Sequence, residues 1–183
     1  MADQAVNRLT ERLEVAIEER ILDTPVDVLV LGPDISGTEL TSAARLRYEI
    51  WNRCRDFGAS VKGEHSRLIA AAKKHFGDGY NLCTYEIMLA KTVDLVVIVP
   101  ESAGSIAELG LIALINDVGP KTLVLFSKHR RYQKSYIMDG PRKSLEFRRA
   151  KIEFVDYEDV DSSWKIVRGA IQKTRILKID RTL

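Results

Sequence analysis

The chain has too few cysteines for a disulfide scaffold, and neither lies in a metal-binding pattern. Cys54 and Cys83 form no CxxC pair, and no H-E-x-x-H, H-x-x-E-H or Cys/His cluster occurs, so no metal and no cofactor are expected. The missing framework suits a reducing cytoplasm. Charge of one sign is lacking too: 28 basic and 26 acidic residues leave a net charge of +2. That excludes a global basic field for nucleic acid or membrane, but not a local patch. No apolar run approaches the ~18–20 residues that span a bilayer. The polar start MADQAVNRLTERLE lacks the apolar stretch of a signal peptide. These absences predict a soluble, cytoplasmic chain that does not engage a membrane.

What is present is an ordinary globular mix, 45% hydrophobic and 30% charged, in 183 residues. On a scale of roughly 100–200 residues per domain, that length predicts one domain with a core that needs no staple. Over residues 3–22, Val6, Leu9, Leu13, Ala16, Ile17 and Leu22 recur at three- and four-residue steps, which predicts an amphipathic helix. Residues 1–24 thus read as an N-terminal helix, an arm or an edge helix, before a domain over 25–183. Apolar runs at 26–31, 94–100 and 121–126 read as buried strands, with weaker ones at 59–62 and 151–155. Helical spacing recurs over 39–57, 64–76, 80–92, 106–116 and 160–175, with a further helix at 142–149 and a polar loop at 127–141. The alternation predicts an α/β fold: a parallel sheet of about five strands with helices on both faces.

In open parallel sheets, ligands gather beyond the carboxyl ends of the strands. Two such ends run into small-residue loops, Gly32-Pro33-Asp34-Ile35-Ser36-Gly37-Thr38 and Pro100-Glu101-Ser102-Ala103-Gly104-Ser105. The helix after the second loop offers unpaired N–H groups and a partial positive charge. Gly104 admits a ligand close to the backbone, and Ser102 and Ser105 add hydroxyls, which together make a cradle for phosphate or ribose. Glu108, one turn on, leans back toward the loop. A carboxylate beside a bound sugar acts as nucleophile or electrostatic stabiliser at an anomeric carbon. The competing reading is structural: Ser105 caps the helix and Glu108 closes a capping box. Gly110 tips the balance toward a site, since glycine inside a helix costs ~1 kcal/mol against alanine and usually marks a need for space.

The run Pro100-Glu101-Ser102-Ala103-Gly104-Ser105-Ile106-Ala107-Glu108-Leu109-Gly110 resembles the P-G-G-x-G-T-x-x-E motif of lysine-decarboxylase-like and LOG-type proteins. With the Asp94-led strand and the Gly32-Pro33 strand end, it is also similar to the nucleoside 2-deoxyribosyltransferases, whose segment reads G-[ST]-x-x-E-x-G. Within the wider Rossmann-like SLOG superfamily, E-S-x-G-S-I-A-E-L-G looks especially like retron-associated antiviral effectors. The resemblance covers roughly residues 26–126, and about eleven of them carry its specific part. It implies a Rossmann-like domain that cleaves an N-glycosidic bond or transfers a (deoxy)ribosyl group. Glu108 would then act at C1′ of a nucleoside or nucleotide, with the two loops framing sugar and phosphate. Glu101 and Ser102 stand where the LOG-type pattern has glycines. A non-catalytic module that senses nucleotides or binds a nucleic-acid complex is the alternative. Deoxyribosyltransferase-like proteins often complete a site with a neighbouring subunit, which implies a homo-oligomer.

Other residues admit two readings each. Asp34 binds a ribose hydroxyl or the base, or forms an Asx turn. Tyr80, Asn81, Tyr85 and Glu86 precede the Asp94 strand: Tyr85 stacks on a base or belongs to an amphipathic cover helix, and Glu86 is a base-contacting carboxylate or is solvated. His65 titrates near neutrality as an acid or base, or is simply exposed; His75 and His129 rank below it. Residues 121–151 hold ten basic side chains, Lys121, Lys128, Arg130, Arg131, Lys134, Arg142, Lys143, Arg148, Arg149 and Lys151, interleaved with Tyr132, Tyr136 and Phe147. Either this region contacts nucleic acid or a reverse-transcriptase complex, with Lys128, Arg130, Arg131, Lys134 and Arg142 foremost, or it is a solvated face.

Overall fold

Runs of Val, Leu and Ile that are apolar on both faces can be satisfied only between two layers of helices. The computed structural model describes residues 15, 16, 18–63, 65–79 and 81–180, and places these runs at the centre of an all-parallel sheet. The strands are β1 (Asp27–Leu31), β2 (Ser60–Lys62), β3 (Leu95–Ile98), β4 (Thr122–Ser127) and β5 (Lys151–Val155), in the order β2-β1-β3-β4-β5. Leu31 pairs with Ile98, and Ile98 with Val124, so β1 and β3 end level while β4 runs three residues further. The chain winds outward from β1 to β2, then returns past β1 to β3. The topological switch point therefore lies between β1 and β3, as in flavodoxin-type doubly wound sheets.

On one face, α1 (Ser42–Asp56) and α7 (Val160–Asp180) pack Leu46, Ile50, Val167 and Ile171 against Val28, Val30 and Val97. On the other, α3 (Leu82–Thr92), α4 (Ala103–Ile112) and the short α5 (Tyr136–Asp139) and α6 (Pro141–Phe147) cover Leu29, Leu31, Val96 and Ile98. Helix α2 (His65–Phe76) packs on α3. Each buried Val, Leu or Ile contributes roughly 1.5–3 kcal/mol of transfer free energy.

Buried or half-buried cations close the amino end of the sheet. Arg175 donates to the carbonyls of Thr24 (3.2 Å) and Phe57 (2.8 Å). Lys121 donates to those of Lys91 (2.7 Å) and Val93 (2.5 Å). Asp94 Oδ2 accepts from the Asp27 backbone N–H (2.9 Å) and from Lys178 Nζ (2.8 Å). The aspartate that leads β3 is thus a lock at the end of the sheet away from the switch point.

Several elements differ from their sequence reading. The helix expected at 106–116 begins at Ala103 and ends at Ile112, because Ser102 rather than Ser105 supplies the cap. The polar loop at 127–141 contains a 3-10 turn over Lys128–Arg130 and the single turn α5. The last helix runs on to Asp180, five residues past its expected end, because Arg175 and Lys178 anchor that extension. Of the N-terminal helix, residues 15–16 and 18–23 are helical; residues 1–14 and 17 lie outside the described residues.

Candidate functional site

Helix α4 opens with two serines that satisfy each other. Ser105 N–H donates to Ser102 Oγ (3.2 Å), and Ser105 Oγ accepts from the N–H groups of Ser102 (2.9 Å) and Glu101 (3.0 Å). This is a capping box with serine at its third position. The expected Ser105–Glu108 box is therefore corrected, and Glu108 is released from the helix end into the second turn. The Ser105 hydroxyl is buried and committed to the cap. A Cβ at Gly110 would meet nothing within 4 Å, so no neighbouring protein atom requires glycine there.

Glu108 lines a cavity of about 190 Å³ with Gly32, Asp34, Arg47, Gly63, Glu86, Ser102, Gly104 and Ser105. The cavity sits at the carboxyl ends of β1 and β3, the switch point. Glu108 Oε2 is buried and has no hydrogen-bond partner. Burial first, and then the charge of Glu86, raise its carboxyl from the ordinary 4.5 to about 7, against the pull of Arg47. Glu86 is itself 7% exposed. Three carboxylates thus share the cavity with one guanidinium. Among the described residues no group of three His, Cys, Asp or Glu side chains is arranged to hold a metal ion.

Of the two readings of Asp34, the structure shows the turn. Its Oδ1 accepts from Ser36 N–H (3.1 Å) and its Oδ2 from Ser36 Oγ (2.7 Å), an Asx turn, and it also lines the cavity. Gly32 is in the cavity wall. Pro33 belongs instead to a neighbouring cleft of about 520 Å³, which shares Ser102 with the cavity and is bordered by Thr41, Ser42, Glu101, His129, Asp156, Tyr157 and Glu158. The carboxylates of that cleft are paired: Glu101 with Arg130 (3.2 Å), Asp156 with Lys128 (2.5 Å), and Glu158 with Ser42 and Arg45. Tyr85 is not brought to either space; it stacks on His75 with ring centroids 5.9 Å apart. The side chain of His65 and all of Tyr80 lie outside the described residues.

The basic segment is largely self-satisfied. Besides Lys128 and Arg130, Arg142 pairs with Glu146 (2.9 Å), and Arg131 lies over the Phe154 ring at 5.2 Å. Lys134 is exposed and makes no ion pair among the described residues.

Sequence reasoning missed Arg47. The signal was there: Ala43, Arg47, Ile50 and Cys54 share one stripe of the helix, so Arg47 is a charge where an apolar residue belongs. Glu86 stands in the same relation to Ala90.

An all-parallel sheet of this order, with a carboxylate-lined cavity at its switch point, defines a doubly wound, Rossmann-like α/β protein. A search of curated proteins gave no match. The family description "STM3845 retron effector protein" matches residues 44–181, about three quarters of the chain, and the chain belongs to that family. The matched span includes Arg47, Glu86 and Glu108 but not the loop at 32–38. No helix among the described residues is long and apolar enough to cross a membrane.

Proposed function

We propose that this retron effector cleaves the N-glycosidic bond of a nucleoside or nucleotide, or transfers its (deoxy)ribosyl group, with Glu108 acting at C1′. One observation carries the reading: the Glu108 carboxyl, whose buried Oε2 has no partner, lines a cavity with two further carboxylates, and burial there pushes it up to about 7. The motif likeness around Gly104, Ser105 and Glu108 supports the same chemistry, and the retron effector family supports antiviral defence as its setting.

In its ionised form, Glu108 attacks C1′, or stabilises the oxocarbenium charge, as the C1′–N bond breaks and its electron pair leaves with the base. The departing base takes up a proton from water. Water then cleaves the sugar–Glu108 ester and restores the carboxylate, or a second base does so and completes a transfer. At about 190 Å³ the cavity is smaller than the ~300–1,000 Å³ of a pocket for a drug-sized ligand. It suits the sugar alone, and the cleft that shares Ser102 takes the rest of the substrate.

The test is incubation with nucleosides, nucleotides and NAD, followed by chromatography for free base. Wild type releases base and Glu108→Gln, still folded, does not. No release by wild type from any of the three defeats the reading; binding that survives Glu108→Gln without release supports a nucleotide sensor.

A second contact has its own observation. Tyr132, Tyr136 and Phe147 are 89%, 83% and 88% exposed, in the same segment as Arg131 and Lys134. Exposed rings among cations support stacking and phosphate contact with the nucleic acid of a retron complex. A mobility shift that weakens steeply with salt tests it, and sedimentation tests the homo-oligomer implied by the deoxyribosyltransferase likeness.

A further inference from the structure

Arg47, on α1, is 5% exposed. Its Nη1 donates to the carbonyls of Gly32 (2.7 Å) and Pro33 (2.6 Å), and its Nη2 to those of Gly63 (2.6 Å) and Val30 (3.2 Å). These acceptors belong to β1, to the turn after it and to the residue that follows β2. A guanidinium presents its donors in a fixed planar fork and can meet all four, whereas an ammonium has three donors and no fork. The remaining donor, Nε–H, is buried with no partner. A buried charge persists only where it is compensated. Here the compensation is four carbonyl dipoles and the carboxylates of Glu108, Asp34 and Glu86, which line the same cavity.

We infer that Arg47 is the positioning residue of this cavity: it fastens the turn at 32–34 against the end of β2, which sets Asp34 beside the cavity, and it is the cation that lets Glu86 and Glu108 occupy one small space. The inference deepens the proposed role of Glu108 and rests on it for its catalytic consequence. The fork and the charge are separable. Arg47→Lys keeps the charge and loses the fork; Arg47→Met keeps a buried aliphatic stem and loses both. The groups that face Glu108 are Glu86 from α3, Arg47 from α1 and Asp34 from the turn.

The experiment follows the Glu108 carboxyl directly, by ¹³C NMR of the full chain labelled at glutamate, with Glu108→Gln supplying the assignment. In Arg47→Met the protonation midpoint of Glu108 rises by about one pH unit and the melting temperature falls. In Arg47→Lys the midpoint stays close to wild type, the melting temperature still falls, and the amide resonances of Gly32, Asp34 and Gly63 move. An unmoved Glu108 midpoint in folded Arg47→Met overturns the inference. So does an Arg47→Lys chain that melts like wild type with those amides in place, and this second arm holds even where Arg47→Met fails to fold. No substrate is used, so a wild type that releases no base overturns the glycosidase reading alone.

Discussion

Ser102 and Ser105 cap one another across the first turn of α4, which leaves the carboxyl of Glu108 out of the helix end and in the cavity. Ser105→Ala removes the acceptor shared by the N–H groups of Glu101 and Ser102. It should cost about 1 kcal/mol, the usual worth of a cap, read as a lower urea midpoint with an unchanged slope. Glu108→Gln should leave the cap intact. A Ser105→Ala chain as stable as wild type contradicts the capping account.

The raised carboxyl of Glu108 couples stability to pH. The unfolded chain releases this proton near 4.5, and the folded chain near 7. Between those values the folded state holds a proton that the unfolded state has lost. The stability this supplies is fully present below 4.5 and is lost as the pH rises through 7. The change is on the order of 3 kcal/mol. Glu108→Gln should therefore flatten the fall in urea midpoint between pH 5 and 8 and should be the more stable form at pH 8. Under the proposed mechanism, base release should follow the opposite course, rising with pH to a half-maximum near 7, because the attacking form is the ionised one.

Gly63 is held where no side chain fits. Its φ is +117°, and an added Cβ would stand 2.3 Å from Val30 O, one of the carbonyls bound to Arg47. Gly63→Ala should destabilise by about 1–3 kcal/mol through backbone strain and should shift the amide resonances of the turn at 32–36. Denaturation and an amide spectrum check both, and an undisturbed turn would argue that Arg47 does not link the two strand ends.

The sheet was readable because its signals are local. Asp27–Leu31, Leu95–Ile98 and Thr122–Ser127 are runs whose central residues are all apolar, and Gly58 falls where α1 ends, at φ +78°. The order of the strands is not local, so the switch point emerged only from the pairing of β1 with both β2 and β3. In the site, Glu108 was found from a motif and Asp34 from its place at a strand end. Glu86 was legible only as a candidate and Arg47 was overlooked, because its one signal, a charge within the apolar stripe of Ala43, Ile50 and Cys54, says that the residue is buried and not what it faces. Tyr85 shows the converse: helical spacing allowed it to border the crevice or to belong to a cover helix, and in the structure it stacks on His75 of α2.

Asp94 tests how far the likeness to the deoxyribosyltransferases reaches. The motif treats it as the leader of the strand before the Glu108 loop, yet its carboxylate is spent at the opposite end of the sheet, on Asp27 N–H and Lys178 Nζ. Asp94→Ala removes the acceptor of a partly buried N–H and of a lysine together, and should cost about 1–3 kcal/mol. Lys178 also donates to Pro25 O at 2.9 Å, so part of the junction between α7 and the start of β1 survives, and the chain should still fold. Because β3 separates this lock from the switch point, the titration midpoint of Glu108 and any base release measured per folded molecule should equal those of wild type. A displaced Glu108 midpoint in a chain with an intact amide pattern would mean that the two ends of β3 are coupled, and that Asp94 belongs to the site after all.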